Sequence, residues 1–176
     1  MATLFVDKID PQSGTSLEIG SSGDTITTAT GAKPSFLYPA FRAYTDTIQT
    51  TSSGTVTKAA LDLETYDTNS CYDTSNYRFT PNVAGKYYFN FVAQDNYTTT
   101  AATDSGIFIR KNGSDIAEFV FSVKASQYGS LVVSTTVDMN GSSDYVEFFL
   151  YYAGGSGVIW RNNSDRQFAE GFRIGT

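Results

Sequence analysis

The fold is decided by residues 79–91, which read FTPNVAGKYYFNF. A turn at residues 80–85 leads into a run in which Tyr87, Phe89 and Phe91 stand at every second position. Side chains alternate between the two faces of a β-strand, so these three aromatic rings share one face. The segment therefore predicts a strand with an aromatic row along one side.

A second aromatic row is expected within residues 144–152, where large apolar residues again alternate. Together the two rows comprise Tyr87, Phe89, Phe91, Phe148, Leu150 and Tyr152. The opposite faces of both strands are also bulky and mostly apolar, with residues such as Tyr88 and Phe149. A sandwich buries one face of each sheet in its own core, and a second apolar face suggests burial against another subunit. We therefore predict that the two rows belong to the core or to an interface with another subunit.

The rest of the sequence after residue 35 is also typical of β-structure. It is rich in Val, Ile, Tyr, Phe and Thr and shows no sustained i, i+3, i+4 apolar spacing. The predicted strands are 38–46, 55–65, 77–80, 85–94, 105–111, 115–123, 129–138, 144–152 and 167–174. Hairpin turns are predicted at residues 111–114 and 140–143, and a glycine-rich loop at residues 154–157. Many short strands at this spacing favour an all-β sandwich or barrel.

The spacing of eight residues around the first aromatic row is the most specific pattern in the chain. These residues are Leu61, Asp67, Tyr72, Phe79, Gly85, Tyr87, Phe89 and Phe91. The pattern resembles the globular head of complement component C-one-q (C1q), which belongs with the tumour necrosis factor (TNF) jelly rolls. Leu61 alone departs from it, since that family has Phe there. Residues 39–43, 110–113 and 168–172 resemble the family's opening strand, middle hairpin and closing strand.

The resemblance covers residues 36–176. It implies a ten-stranded antiparallel jelly-roll sandwich and a homotrimer about a three-fold axis. A monomer with one exposed aromatic face is the alternative.

Residues 1–35 have a different composition and are predicted to form an extended N-terminal arm. They contain one aromatic residue and are rich in Ser, Thr, Gly and Asp, so they cannot bury enough apolar surface to fold alone. Segments of this arm resemble the start of fibre proteins of marine tailed phages. We predict that it attaches to a capsid or tail protein, by strand addition or by intertwining of three arms. Its predicted apolar anchors are Leu4, Val6, Ile9, Leu17, Ile19 and Ile26.

The composition of the 176 residues argues against several classes of function. Histidine is absent and cysteine occurs once, which excludes His-based triads, His-ligated metal sites and intrachain disulfides. The net charge of −6 argues against nucleic-acid binding, and no apolar run is long enough to insert in a membrane. Carboxylate pairs such as Asp62 with Glu64, or Asp67 with Asp73, have no catalytic spacing. We expect no enzyme activity, no cofactor and no metal.

Two functions remain. The first is a virion structural protein, assembled in the host cytoplasm, whose head is exposed for contact with a host-surface glycan or protein. The residues expected to bind such a ligand are Trp160, Tyr97 and Tyr128, because aromatic rings in loops can stack on sugars. For Trp160, packing in the core or at the trimer axis is the alternative. The second function is a secreted, soluble C1q-like binding module; no secretory signal is recognised in the first ten residues, MATLFVDKID.

Overall fold

A computed structural model describes Gly23 and residues 39–96, 104–122, 128–154 and 158–175. All of these except Gly23 belong to one compact unit, Leu37–Thr176. Apart from Gly23, the predicted arm and its six apolar anchors lie outside the described residues. The division of the chain at residue 35 therefore stays a prediction.

The described residues form strands and no helix, as the composition predicts. The strands are β1 (Ala40–Tyr44), β2 (Gln49–Thr51), β3 (Thr57–Lys58), β4 (Leu63–Asp67), β5 (Tyr72–Asp73), β6 (Arg78–Phe79), β7 (Gly85–Asn96), β8 (Asp104–Lys111), β9 (Ser114–Phe121), β10 (Ser130–Met139), β11 (Val146–Ala153), β12 (Val158–Trp160) and β13 (Gln167–Gly175). The expected count of ten strands is not confirmed, because the described ranges contain thirteen strands, of which β2, β5 and β12 were not predicted.

The strands form two antiparallel sheets, which confirms the jelly-roll sandwich. One sheet has seven strands in the order β2-β12-β7-β13-β1-β4, with β10 on the free side of β7. The other has six strands in the order β5-β6-β11-β8-β9, with β3 beside β11. Every strand pairing is antiparallel.

The predicted strand 55–65 is divided because the chain crosses from one sheet to the other. Its first part, β3, pairs with β11, whereas its second part, β4, pairs with β1 in the seven-stranded sheet. Between them Leu61 is fully buried, and its N–H donates to the carbonyl of Ala59 at 3.0 Å. A continuous apolar run therefore represents a core-crossing segment rather than one strand.

The two predicted aromatic rows meet in the core. Their six residues are each at most 1% exposed. The ring of Phe148 lies 5.3 Å from that of Phe91 and 6.5 Å from that of Phe89. Phe41 stacks on Tyr72 at 4.9 Å and on Phe79 at 4.6 Å, so the opening strand is joined to the same cluster. Burial of several such rings is the main stabilising contribution of this core.

The spacing of Leu61, Asp67 and Tyr72 corresponds to a hydrogen-bonded link between chain segments. The Tyr72 hydroxyl donates to the Leu61 carbonyl at 3.0 Å, and the Tyr72 N–H donates to Asp67 Oδ2 at 2.8 Å. Tyr72 is 7% exposed, and burial raises its pKa, to which nearby carboxylates including Glu64 add. The buried hydroxyl therefore stays protonated and keeps its donor role.

Gly85 is required at the start of β7. Its φ of +149° is a conformation that side chains disfavour, and a Cβ there would overlap the carbonyl oxygen of Gly175. The glycine thus lets the end of β13 close against β7.

One of the two predicted hairpins is confirmed and the other is wrong. Asn112 and Gly113 have φ values of +51° and +83° and join the paired strands β8 and β9, as a two-residue hairpin turn requires. Residues 140–143 do form a turn, but it joins β10 to β11, which lie in different sheets. The turn residues signalled a reversal of the chain without revealing which strands would pair.

Candidate self-association surface

The outer face of the seven-stranded sheet carries two apolar rows that cross the strands. We call this face, made by β10, β7, β13, β1 and β4, the sheet face. In one row the strand register aligns Val132, Val92, Phe168, Tyr44 and Leu63. In another it aligns Thr136, Tyr88, Phe172 and Ala40. Val132 is 55% exposed and Phe172 is 44% exposed, so the described chain leaves both rows accessible.

A polar row lies between the two apolar rows, and its polar side chains form hydrogen bonds with one another. Arg42 Nη1 donates to Glu170 Oε2 at 2.6 Å, and Asn90 Nδ2 donates to the other oxygen of Glu170 at 3.1 Å. The Arg42 guanidinium also lies 3.7 Å from the centroid of the Phe168 ring. Arg42 and Glu170 are the only charged residues in the three rows, and they form an ion pair. Covering the face would therefore leave neither charge without a partner.

Aromatic contacts extend the apolar area toward the end of β13. The Tyr88 and Phe172 rings lie 5.5 Å apart, and Ile174 is 52% exposed. Tyr66, which lies opposite Arg42 at the β4 end of the polar row, is 42% exposed. Isolated exposed apolar side chains are ordinary, but this set is contiguous across five paired strands, as is typical of a protein interface.

Two long strands at one side of the sandwich form a second surface, which we call the sandwich edge. In the described residues β9 pairs only with β8, and β10 pairs only with β7. The two strands lie beside one another across the sheets. Phe119 on β9 is 43% exposed, and its ring lies 5.9 Å from that of Phe121. An uncovered edge of this length invites further association.

The sequence identified only part of the sheet face. It anticipated a second bulky face on β7, which the sheet face includes. It missed Phe168 and Phe172, which alternate with Ala169 and Gly171. The large residues point outward because the rings of Phe41 and Phe89 already fill the core beside Gly171, where a Cβ would lie 2.5 Å from Phe89. In this strand, the small residues on the inward face were the sequence signal that the large residues face outward.

The face of β11 that points away from the core is not part of the sheet face, and charged side chains cover it. Lys58 Nζ and Arg78 Nη2 lie 2.7 and 2.8 Å from Glu147 Oε1. The Arg110 guanidinium lies 4.3 Å from the centroid of the Phe149 ring. This face therefore resembles an ordinary outer surface of a sandwich.

Trp160 is not a loop residue. It ends strand β12, is 0% exposed, and its indole Nε1 donates to Thr51 Oγ1 at 3.0 Å. No face of the ring is accessible to a ligand, so the structure favours the packing role over ligand binding.

The other two residues expected to bind a ligand have different outcomes. Tyr128 is 54% exposed, and the Arg161 guanidinium lies 5.1 Å from the centroid of its ring. Tyr97 lies outside the described residues. An exposed aromatic ring with a neighbouring cation is suited to stacking on a sugar or peptide group.

The carboxylates and the cysteine have structural surroundings. Asp67 accepts the Tyr72 N–H, and Asp73 accepts the N–H groups of Ser75 and Asn76, so both stabilise turns. Cys71 is 6% exposed in the core, where burial raises the pKa of its thiol.

Two negative observations concern the described residues alone. No three His, Cys, Asp or Glu side chains of these ranges converge to hold a metal ion. No helix in the same ranges could cross a membrane.

Solved structures with the same fold define the class of this molecule. Murine APRIL aligns with a TM-score of 0.61 at 8% identity, over 78% of this chain and 99% of that chain. The globular domain of the zebrafish complement 1qA protein aligns with 0.56 at 19% identity, over 78% and 97%. Eiger TNF from S. frugiperda aligns with 0.62 at 6% identity, over 79% and 94%. The chain therefore has a TNF-like and C1q-like jelly-roll fold.

No family model and no curated protein matches the sequence. At the identities above, the structural likeness establishes the fold alone.

Proposed function

We propose that this protein is a non-enzymatic structural component of a virion, a phage fibre or a capsid or tail appendage. Its jelly-roll head assembles as a homotrimer, and residues 1–35 attach the trimer to a capsid or tail protein. The observation that carries the assembly is the sheet face, a contiguous apolar surface around a self-satisfied ion pair.

Two different surfaces on one chain support the proposed trimer. The sheet face is the outer surface of five paired strands, whereas the sandwich edge is the side of β9 and β10 that is unpaired in the described residues, so a contact between the two would be head-to-tail rather than two-fold. Such contacts form closed rings when the rotation between subunits is right. The resemblance to the C1q and TNF heads supports closure at three subunits.

The arm supports attachment because its short alternating segments can add strands to a neighbouring protein. Its apolar residues, Leu4 and Ile19 among them, would occupy that neighbour's pockets. Three arms on one trimer multiply weak contacts, which gains avidity without a stronger single contact.

The exposed head would contact a host-surface glycan or protein through Tyr128. Its accessible ring and the nearby Arg161 provide a stacking surface and a cation. A glycan array with the wild type and Tyr128→Ala tests this role. Binding that the substitution leaves unchanged would remove Tyr128 from it.

A secreted, soluble C1q-like module is the second candidate. It is compatible with the named structural neighbours, which include a complement protein domain and a TNF. The fold is equally compatible with either function, so the two candidates are distinguished by an experiment on the arm.

Deletion of residues 1–35 separates the two candidates. We expect the shortened chain to fold and to form trimers, but to be absent from assembled particles that contain the full-length chain. The measurement is sedimentation of particles followed by detection of the chain with an antibody. Incorporation without the arm would exclude the arm as the anchor, and absence of the full-length chain from particles would favour the soluble module.

A further inference from the structure

Polar side chains buried in the sandwich are concentrated at one end of it. They are Thr45, Thr51, Asp95, Ser105 and Gln167, each at most 2% exposed. Asp95 is next to last in β7, Ser105 is the second residue of β8, and Gln167 begins β13. Because these strands are antiparallel, the three positions meet at the same end of the sandwich.

Most of this cluster is satisfied within the chain. Asp95 accepts the Gly129 N–H at 2.5 Å and the Ser105 hydroxyl at 3.2 Å. Thr51 accepts the indole N–H of Trp160. Thr45 accepts the N–H of Thr47 at 3.1 Å. The arrangement shows that this end of the core is polar.

Gln167 is the exception. Gln167 is 0% exposed, and neither Nε2 nor Oε1 has a hydrogen-bond partner among the described residues. The amide group therefore presents both a donor and an acceptor in the core. Buried polar groups in folded proteins are hydrogen-bonded almost without exception, so both amide atoms are expected to have a partner that the described side chains and backbone do not supply.

The strand register places a small residue opposite this amide. Gln167 lies directly opposite Ala93 on β7, and the next residue on that face of β7 is Asp95. Ala93 has only a methyl side chain, and diagonal neighbours across strands are within reach of long side chains. Internal water in proteins is bound by buried polar groups that lack other hydrogen-bond partners.

We propose that Gln167 binds at least one internal water molecule at this end of the core. The water donates to Oε1 and accepts from Nε2. A metal cation would satisfy Oε1 and leave the Nε2 donor unpaired, and a sugar or peptide could not reach a side chain with no exposure. Water is the ligand that matches both atoms and the depth of the site.

A high-resolution crystal structure of the full chain tests this proposal. We expect a density peak at about 2.7–3.2 Å from both amide atoms of Gln167. Crystals of Gln167→Met should lack the peak. Crystals of Gln94→Met should keep it, because the Gln94 amide is paired with Arg166 and Ser130 and has no role at the site.

Three results would overturn the assignment. The first is a dry site in the wild type. The second is a protein group bonded to the amide. The third is a peak at about 2.3–2.6 Å from Oε1 alone, the distance typical of calcium. If Gln167→Met does not crystallise, the wild-type density still decides between water and each of these results.

Discussion

Glu147 and Asp95 are both buried, and their surroundings shift their pKa values in opposite directions. Burial alone raises the pKa of Glu147, but hydrogen bonds and positive charge from Lys58 and Arg78 outweigh it and leave that pKa below its ordinary value. Burial also raises the pKa of Asp95, and the hydrogen bonds from Gly129 and Ser105 offset this only in part. The difference is that the partners of Asp95 are neutral.

Glu147→Gln should lower the free energy of unfolding by about 1–3 kcal/mol at neutral pH, because it leaves two cations without their shared carboxylate. A lowered pKa in the folded state means that the ionised carboxylate stabilises the protein above its ordinary pKa of 4.5. This stability is lost as the pH falls through the folded-state value. Urea unfolding of wild type and variant should therefore show a deficit that shrinks in acid.

Asp138→Asn is the control for Glu147. Its ion pair with Lys86 is largely exposed, with 79% of the Asp138 side chain accessible, so the change should be within about 0.5 kcal/mol. A Glu147→Gln deficit equal to that of the control, or one that does not depend on pH, would contradict the assigned role.

Asp95→Asn should leave the free energy of unfolding unchanged or raise it at neutral pH. A raised pKa means that the folded state holds the proton more tightly, so wild-type stability falls as the pH rises from the ordinary value of 3.8 through the folded-state value. Asparagine has no charge to bury. Thermal or urea unfolding across this pH range should show that the stability of the variant relative to the wild type increases with pH. A relative stability that decreases with pH would contradict the account.

At the residue scale the sequence predicted the aromatic core well and the polar core poorly. Tyr87, Phe89 and Phe148 could be recognised because alternation of large apolar residues is a local signal. Trp160 was ambiguous, because its burial depends on a hydrogen bond to Thr51, which is 109 residues away in sequence. The isolation of Gln167 could not be seen, since a missing partner is a property of three dimensions.

At the element scale, strands were predictable where a pattern lasted for most of their length. β7 and β10 were recognised in nearly their full extent, whereas β2, β5 and β12 have only two or three residues and no measurable alternation. The break between β3 and β4 was missed because apolar residues that cross the core look like a continuation of the strand. Pairing partners were also hidden, as the turn between β10 and β11 shows.

Gly85→Ala tests how β7 and β13 close against one another. We expect a loss of at least about 2 kcal/mol in the free energy of unfolding, because the new Cβ would overlap the Gly175 carbonyl and the backbone would be strained. Gly175→Ala is the matched control: a Cβ there meets nothing within 4 Å, so the change should be within about 0.5 kcal/mol. Equal effects in the two variants would refute the steric explanation.

At the scale of the whole molecule, the proposed trimer uses the sheet face of one chain and the sandwich edge of the next. The apolar character of β7 and β11 predicted that another subunit would cover an outer face of the sandwich. It did not predict which of the two strands carries that face. The sequence could not show that charged residues cover the outer face of β11, while the outer face of β7 joins Phe168 and Phe172. That distinction depends on which strands are neighbours.

We propose above all that the head forms a trimer through the sheet face. Light scattering coupled to size-exclusion chromatography tests this proposal most directly. The full chain should have three times the 19.1 kDa mass of one chain at micromolar concentration. Val132→Glu, which places a charge on the sheet face, should shift the mass toward one chain. Ile48→Glu, at an equally exposed position of 55% outside these strands, should leave the trimer intact. A wild-type mass of one chain, or a trimer indifferent to Val132→Glu, would contradict the account.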